Sequence, residues 1–117
     1  MENLITIIKA LSDANRLKII AILRKKSLCV CEIEHLLSLA QPTISTHLKI
    51  LVNAKLIKSE KQGTWVIYHL ISDKLPATLK QIVAKSLDYL NTTHEIEELL
   101  KKQKTLNVRP KCNKELK

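Results

Sequence analysis

The most constraining feature of the sequence is a pair of helical patterns joined by a very short turn, between residues 31 and 53. Residues 31–38 form a short apolar pattern, which is followed by Leu39-Ala40-Gln41 and then by Pro42. Proline suits the first turn of a helix, because its missing N–H would have no partner there. A second helix is therefore predicted from Pro42 to about Asn53. Two short helices joined by a tight turn are typical of a helix-turn-helix.

The second of these helices has two chemically different faces. The residues expected to form its buried stripe are Ile44, Leu48, Leu51 and Val52. The opposite face carries small polar side chains and a lysine, which let a helix come close to the major groove of B-DNA. The residues of this segment predicted to contact DNA are Gln41, Thr43, Ser45, Thr46 and Lys49. His47 lies beside the apolar stripe and is predicted to pack rather than to bind DNA.

Two β-prone runs follow, at residues 56–60 and 65–71, around the turn Lys61-Gln62-Gly63-Thr64. Gly63 is the only glycine in the chain and lies where a positive φ is most useful. This pattern predicts a two-stranded wing, with Lys58 and Lys61 placed for phosphate contacts. A polar helix face alone is most often simply solvated, but a basic hairpin directly after it favours binding to double-stranded DNA.

Two further helices are predicted before this unit and two after it. From apolar periodicity and capping residues, they are expected at residues 4–11, 14–25, 74–90 and 93–104. Ser72-Asp73 is expected to cap the third of them, with Pro76 in its first turn. The predicted fold is mainly α with a small β-hairpin, which is a winged helix-turn-helix.

Apolar side chains on the first helix and on the helix ending near Leu90 exceed what a lone domain of 117 residues easily covers. They are Leu4, Ile5 and Ile8, together with Leu79, Ile82, Val83, Leu87 and Leu90. A small domain usually reads an operator as a dimer, with two recognition helices in successive major grooves. We therefore expect a self-complementary interface and a homodimer.

The net charge is +9, and the basic residues are concentrated at residues 101–117. We expect residues 1–104 to form one DNA-binding and dimerisation domain, and residues 105–117 to form a basic, flexible tail that carries Cys112. No apolar stretch approaches the ~20 residues needed to span a bilayer. The first residues also lack a cleavage-site pattern, so a cytoplasmic protein without a membrane partner is expected.

Three cysteines, Cys29, Cys31 and Cys112, argue against a disulfide scaffold in a chain with no export signal. Cys29-Val30-Cys31 stands at the start of the first helix of the helix-turn-helix. Two thiolates one residue apart can bind one soft ion, and a helix N-terminus favours the thiolate form. On spacing alone, however, two buried cysteines are more often inert packing residues.

Four separated motifs, in the right order, resemble the ArsR/SmtB family of metal-sensing repressors. Residues 11–17 resemble the entry to that family's second helix, and residues 27–33 are similar to its metal-box. Residues 41–51 resemble its recognition helix, and residues 61–68 resemble its wing, with details closest to the arsenic-responsive branch. The resemblance implies a repressor that leaves operator DNA when As(III) or Sb(III) binds cysteine thiolates.

The resemblance leaves the third metal ligand open. In the arsenic-responsive branch a third cysteine commonly follows the second by three residues, where this chain has Glu34. A carboxylate is a poor ligand for As(III), which prefers three thiolates. Cys112, from the same chain or its partner, is the first alternative. His35 is the second and would suit Zn(II) or Cd(II) better, and an external thiol is the third.

The family's other zinc site, on its long dimer helix, is not expected in this chain. His94 and Glu97 supply one half of that site, but Gln81 and Val83 occupy the positions of the other half.

Three functions other than a metal-responsive repressor are alternatives for this sequence. A repressor can also sense oxidants or persulfides, through Cys31 and Cys112. A zinc-stabilised structural module is the second alternative. A thiol enzyme is disfavoured, because the sequence has no catalytic Ser/His/Asp or Cys/His arrangement and no phosphate-binding glycine loop.

Overall fold

The computed structural model describes residues 1–71 and 74–106 of the chain. Its elements, in chain order, are α1 (Glu2–Leu11), α2 (Ala14–Lys25), β1 (Leu28–Cys29), α3 (Val30–Leu37), α4 (Gln41–Asn53), β2 (Ile57–Gln62), β3 (Trp65–Leu70), α5 (Ala77–Leu90) and α6 (His94–Lys104). This order confirms the predicted mainly helical, winged helix-turn-helix fold. None of the described helices combines the length and apolar character needed to cross a membrane.

The turn between α1 and α2 is held by Asp13 and Arg16. Asp13 caps α2, since its side chain accepts hydrogen bonds from the backbone N–H of Asn15 and of Arg16, at 2.8 and 3.1 Å. The Arg16 guanidinium donates to the carbonyls of Ala10 and Lys9, at 2.8 and 3.1 Å. The Lys9 carbonyl also accepts from the N–H and the hydroxyl of Ser12, so Arg16 and Ser12 together fix how α1 meets α2.

The wing is part of a three-stranded antiparallel sheet with the order β1-β3-β2. β2 and β3 pair as far as Gln62 and Trp65, so the turn has two residues, Gly63 and Thr64, rather than the four expected. Gly63 has a φ of +65°, and Thr64 is not in the positive region. This is the backbone of a type II′ hairpin turn, which matches the twist of the two strands.

Strand β1 was not predicted. It has only two residues, with Leu28 opposite Tyr68 and Cys29 opposite Ile67. Two residues are too few to show an alternating pattern in the sequence. They form a strand only because they pair with the edge of β3 that β2 does not use. The sheet therefore joins the cysteine pair to the wing.

Helix α5 begins later than expected. Its first residue is Ala77 and Pro76 is its N-cap, so the prediction that Pro76 lies in the first turn is wrong. The residue before a proline avoids the helical conformation, and Pro76 itself is extended with a ψ of 150°. The predicted caps Ser72 and Asp73 lie outside the described residues.

The core is built from Ile, Leu and Val side chains of α1–α6 and the sheet. In α4, Ile44, Leu48 and Leu51 are buried as predicted, but Val52 is 39% exposed. At 100° per residue, Val52 points about 80° away from Ile44, which puts it at the edge of the buried stripe.

Candidate DNA-binding surface and cysteine site

Helix α4 packs against α2, α3 and β2 through its buried stripe, and its polar side chains face outward. Gln41, Thr43, Thr46 and Lys49 are exposed, and Ser45 is half-buried. The Thr46 hydroxyl donates to the carbonyl of Pro42 at 3.0 Å. All five predicted residues are thus accessible on one helix, and their contact with DNA stays a prediction.

The two wing lysines, Lys58 and Lys61, are both exposed on β2. They are three residues apart in a strand, so their side chains point to opposite faces of the sheet. Lys58 lies opposite His69 and Lys61 lies opposite Val66. A DNA backbone on one face of the wing would therefore lie nearer to one of these lysines than to the other.

His47 anchors α4 to the turn between α1 and α2. Its side chain is half-buried, and its Nδ1 lies 3.2 Å from Nη1 of Arg16 and 4.0 Å from Oδ1 of Asp13. This placement agrees with the prediction that His47 packs against the body of the protein. It ties the position of α4 to the residues that join α1 and α2.

The cysteine pair lies where β1 becomes α3. Cys29 is the last residue of β1 and the N-cap of α3, and Cys31 is in the first turn of α3. Their side chains are 1% and 5% exposed, and they form a small buried cluster with Ile67. In the structure Cys31 is disulfide-bonded, so the pair can bind a metal only after reduction.

Glu32 fixes the backbone at the cysteine pair. Its carboxylate is buried and accepts a hydrogen bond from the backbone N–H of Cys29 at 3.0 Å. The N–H of Glu32 in turn donates to the Cys29 side chain, which completes a capping box at the start of α3. The orientation of Cys29 is therefore coupled to the first turn of the helix-turn-helix.

The predicted third ligand Cys112 lies outside the described residues. Leu106, the last of the described residues, packs against the cysteine cluster. The described part of the chain therefore ends against the cysteine pair.

His35, the second alternative for the third ligand, stays a prediction. Its side chain is exposed, and its carbonyl accepts a hydrogen bond from Nζ of Lys102 at 3.0 Å. In the part of the chain that is described, one group of three has its ligand atoms within 4.8 Å of one another, namely His94, Glu97 and Glu98. Those three side chains are exposed, and Lys101 forms ion pairs with both carboxylates.

The sequence reasoning missed His69 on β3, which contacts Ser27 at the start of the segment that carries the cysteine pair. Its Nδ1 is 2.6 Å from the hydroxyl of Ser27, whereas its Nε2 is buried with no hydrogen-bond partner. Nothing in the sequence marks His69, because only the pairing of β1 with β3 brings it to Ser27.

The candidate dimer face is clearest on α1. Leu4, Ile5 and Ile8 are 38%, 44% and 52% exposed. On α5, Ile82 is also exposed, but Leu79, Val83 and Leu87 are buried in the protein's own core. The apolar surface available for a partner therefore comes mainly from α1.

Comparisons with known proteins agree with this geometry. Residues 13–59 match the family described as bacterial regulatory protein, arsR family. An uncharacterized HTH-type transcriptional regulator of Methanocaldococcus jannaschii is 40% identical, over 69% of this chain and 92% of its own length. An arsenical resistance operon repressor of Staphylococcus xylosus is 34% identical, over 80% and 86%. The structure of reduced HlyU from Vibrio cholerae superposes with a TM-score of 0.65 at 27% identity, over 79% of this chain and 92% of that one.

Proposed function

Because the chain belongs to the ArsR family of transcriptional regulators, we propose that it is a repressor that releases operator DNA when As(III) or Sb(III) binds its cysteines. It is a DNA-binding regulator and not an enzyme. The observation that carries the proposal is the position of Cys29 and Cys31, at the start of the helix that packs against the recognition helix α4.

DNA binding through α4 is supported by its accessible side chains. Short hydroxyl side chains at Thr43, Ser45 and Thr46 allow the helix backbone to approach the bases, and Gln41 can pair with adenine. Lys49 on α4, and Lys58 and Lys61 on the wing, supply charges for phosphates. A homodimer joined through the exposed face of α1 would present two such helices to successive major grooves.

The switch is a linkage between metal binding and DNA binding. Three thiolates, from Cys29, Cys31 and Cys112, would bind As(III) in the geometry that this ion prefers. To join the site, the two buried cysteines must rearrange, and their backbone is coupled to the capping box of α3. If that rearrangement disfavours the DNA-competent position of α3 against α4, a coupling of ~1–3 kcal/mol weakens operator binding several-fold to over a hundredfold.

The choice of As(III) or Sb(III) draws on the arsenical resistance repressor of Staphylococcus xylosus and on the cysteine pair itself. A repressor of the same fold that responds to Cd(II), Zn(II) or Pb(II), or one that senses oxidants or persulfides, is the alternative. Measuring DNA affinity with each of these ions, and with an oxidant, distinguishes these functions.

The test uses a duplex that the reduced protein itself selects from a random-sequence library. Its affinity is measured by fluorescence anisotropy without and with arsenite, antimonite, Cd(II), Zn(II) and, separately, an oxidant such as hydrogen peroxide. We expect arsenite to weaken binding by wild type, and Cys29→Ser and Cys112→Ser to bind DNA normally without responding. An affinity unchanged by every ion would refute the metal switch, and a response to oxidants alone would assign the redox alternative.

A further inference from the structure

We propose that the cleft between α2 and α6 binds a small organic anion with an apolar body, such as an alkyl or aryl carboxylate. The cleft has a volume of about 520 Å³ and is lined by residues of both helices. This volume is in the range of small-molecule sites. Such a site goes beyond the proposed function, because it contains neither the cysteines nor the residues predicted to contact DNA.

Contacts at both ends of α6 fix the walls of the cleft. Near the start of α6, Nζ of Lys18 on α2 pairs with the carboxylate of Glu95 at 2.8 Å. Near its end, Nε2 of Gln103, which lines the cleft, donates to the carbonyl of Ile22 on α2 at 2.8 Å. Because α6 is attached to α2 at two points, the cleft is a preformed feature of the fold, as small-molecule sites usually are.

The charge of the lining residues selects an anion. Four of them are lysines, namely Lys25 and Lys26 at the end of α2 and Lys101 and Lys104 on α6. Glu97 is the one carboxylate that lines the cleft, and Lys101 pairs with it at 3.8 Å. Within the described residues, the other three lysines form no ion pair. An excess of positive charge in a concave site raises the local concentration of anions.

The cleft also has an apolar wall. Leu100 and Leu106 line it, and both side chains are half-buried because they also pack against the core. An inorganic anion would use only the lysines, and a neutral hydrocarbon only the leucines, so an amphipathic anion fits the whole cleft. Residues 107–117 of the same chain carry four basic side chains and one acidic side chain, so their charge disfavours them as the occupant.

Leu106 links the cleft to the cysteine pair. It lines the cleft and also packs against the cluster of Cys29, Cys31 and Ile67. Lys102, on the same turn of α6, donates to two carbonyls near the end of α3, at 3.0 and 3.3 Å. A ligand that contacts Leu106 would hold the end of α6 against the cysteines. Its binding should therefore slow the reaction of the Cys29 thiol with an alkylating reagent.

The test measures the binding of octanoate to the full chain by NMR titration. Octanol has the same alkyl chain without the charge, and acetate has the charge without the chain. We expect octanoate to bind at least about tenfold more tightly than either, because only octanoate uses both the lysines and the leucines. Its affinity should fall as the salt concentration rises, and the amide resonances that shift should be those of the cleft.

Charge variants show whether the lysines of the cleft hold the ligand. Lys104→Glu and, on the other wall, Lys26→Glu should each weaken octanoate binding at least about threefold. Lys85→Glu makes the same charge change at an exposed position on α5 outside the cleft, and it should leave the affinity unchanged. Circular dichroism checks that each variant is folded. Equal octanoate affinity of wild type and both cleft variants would overturn the inference.

The remaining outcomes are also decisive. If octanol binds as tightly as octanoate, the cleft is only an apolar surface and the inference is wrong. If octanoate shifts only resonances outside the cleft, the inference is wrong as well. Saturating octanoate that leaves the alkylation rate of Cys29 unchanged overturns the link through Leu106. None of these results bears on the metal switch, because the titrations contain no metal and no DNA, so the proposed function stands or falls separately.

Discussion

The backbone N–H of Cys29 donates a hydrogen bond to the carboxylate of Glu32, a side chain that is only 4% exposed. This bond joins the end of β1 to the first turn of α3, so the cysteine pair and the helix-turn-helix share one capping box. A disturbance at Cys29 therefore reaches α3 directly.

Removing this carboxylate should destabilise the protein. We expect Glu32→Ala to lower the free energy of unfolding by about 1–2 kcal/mol, because it leaves a buried N–H of Cys29 without this acceptor. Glu32→Gln should lose less, since its amide oxygen can still accept the bond. Urea denaturation measures both, and equal stability of Glu32→Ala and wild type would contradict the argument.

Arg16 should contribute more to the stability of the protein than an arginine in an exposed ion pair does. Its guanidinium satisfies two carbonyls at the end of α1 and contacts His47 on α4. We expect Arg16→Met to cost about 1–3 kcal/mol of stability and to weaken DNA binding. Arg24→Met is the matched control, because Arg24 pairs only with the exposed Asp88 among the described residues, and its loss should cost less than about 1 kcal/mol. If both variants lose the same free energy of unfolding, the hydrogen bonds of Arg16 contribute no more to stability than an exposed ion pair.

Lys49 should contribute to DNA affinity through charge. If it contacts a phosphate, Lys49→Met should lower the slope of log affinity against log salt by about one. The control is Lys85→Met, which removes an exposed lysine from α5 and should leave the slope unchanged. Anisotropy titrations over a range of salt concentrations give both slopes. Identical slopes for Lys49→Met and wild type would place Lys49 away from the phosphates.

The exposed face of α1 should mediate self-association. Ile8 is 52% exposed, and a charge in its place would be buried at a dimer interface at high cost. We expect Ile8→Glu to shift the protein to monomers in analytical ultracentrifugation. Val66→Glu, at an apolar position on the wing that is 42% exposed, should leave the oligomeric state unchanged. If Ile8→Glu is still a dimer, the dimer interface does not lie on this face of α1.

Lowering the pH should remove the stability that the ionised Asp13 side chain contributes. Partial burial raises the pKa of Asp13, but the Arg16 N–H bond, His47, the Arg16 charge and the Asn15 N–H bond together lower it below its ordinary 3.8. A carboxyl with a lowered folded pKa stabilises the fold above its unfolded pKa, and this contribution is lost as pH falls through the folded value. Asp13→Asn can still cap α2, so it should lose less stability than wild type on acidification below 3.8. Parallel pH profiles of unfolding would contradict this.

Local patterns were enough to predict most elements of the fold. Asp13 before α2, Pro42 at the start of α4 and Gly63 in the hairpin turn each act on their own neighbours in the chain, so their effect is visible in the sequence. The predicted start of α5 was too early, because Pro76 is extended and the helix begins only at Ala77.

At the cysteine site, the sequence and the tertiary structure each determined a different part. The sequence by itself determined that two thiols stand one residue apart at the start of a DNA-binding unit, because spacing along a chain survives folding. Only the tertiary structure decided which side chains surround them. It adds β1 to the wing sheet, which puts His69 on the same face as Cys29 and leaves His35 exposed. Strand register is set by packing between distant segments, and no pattern within either segment records it.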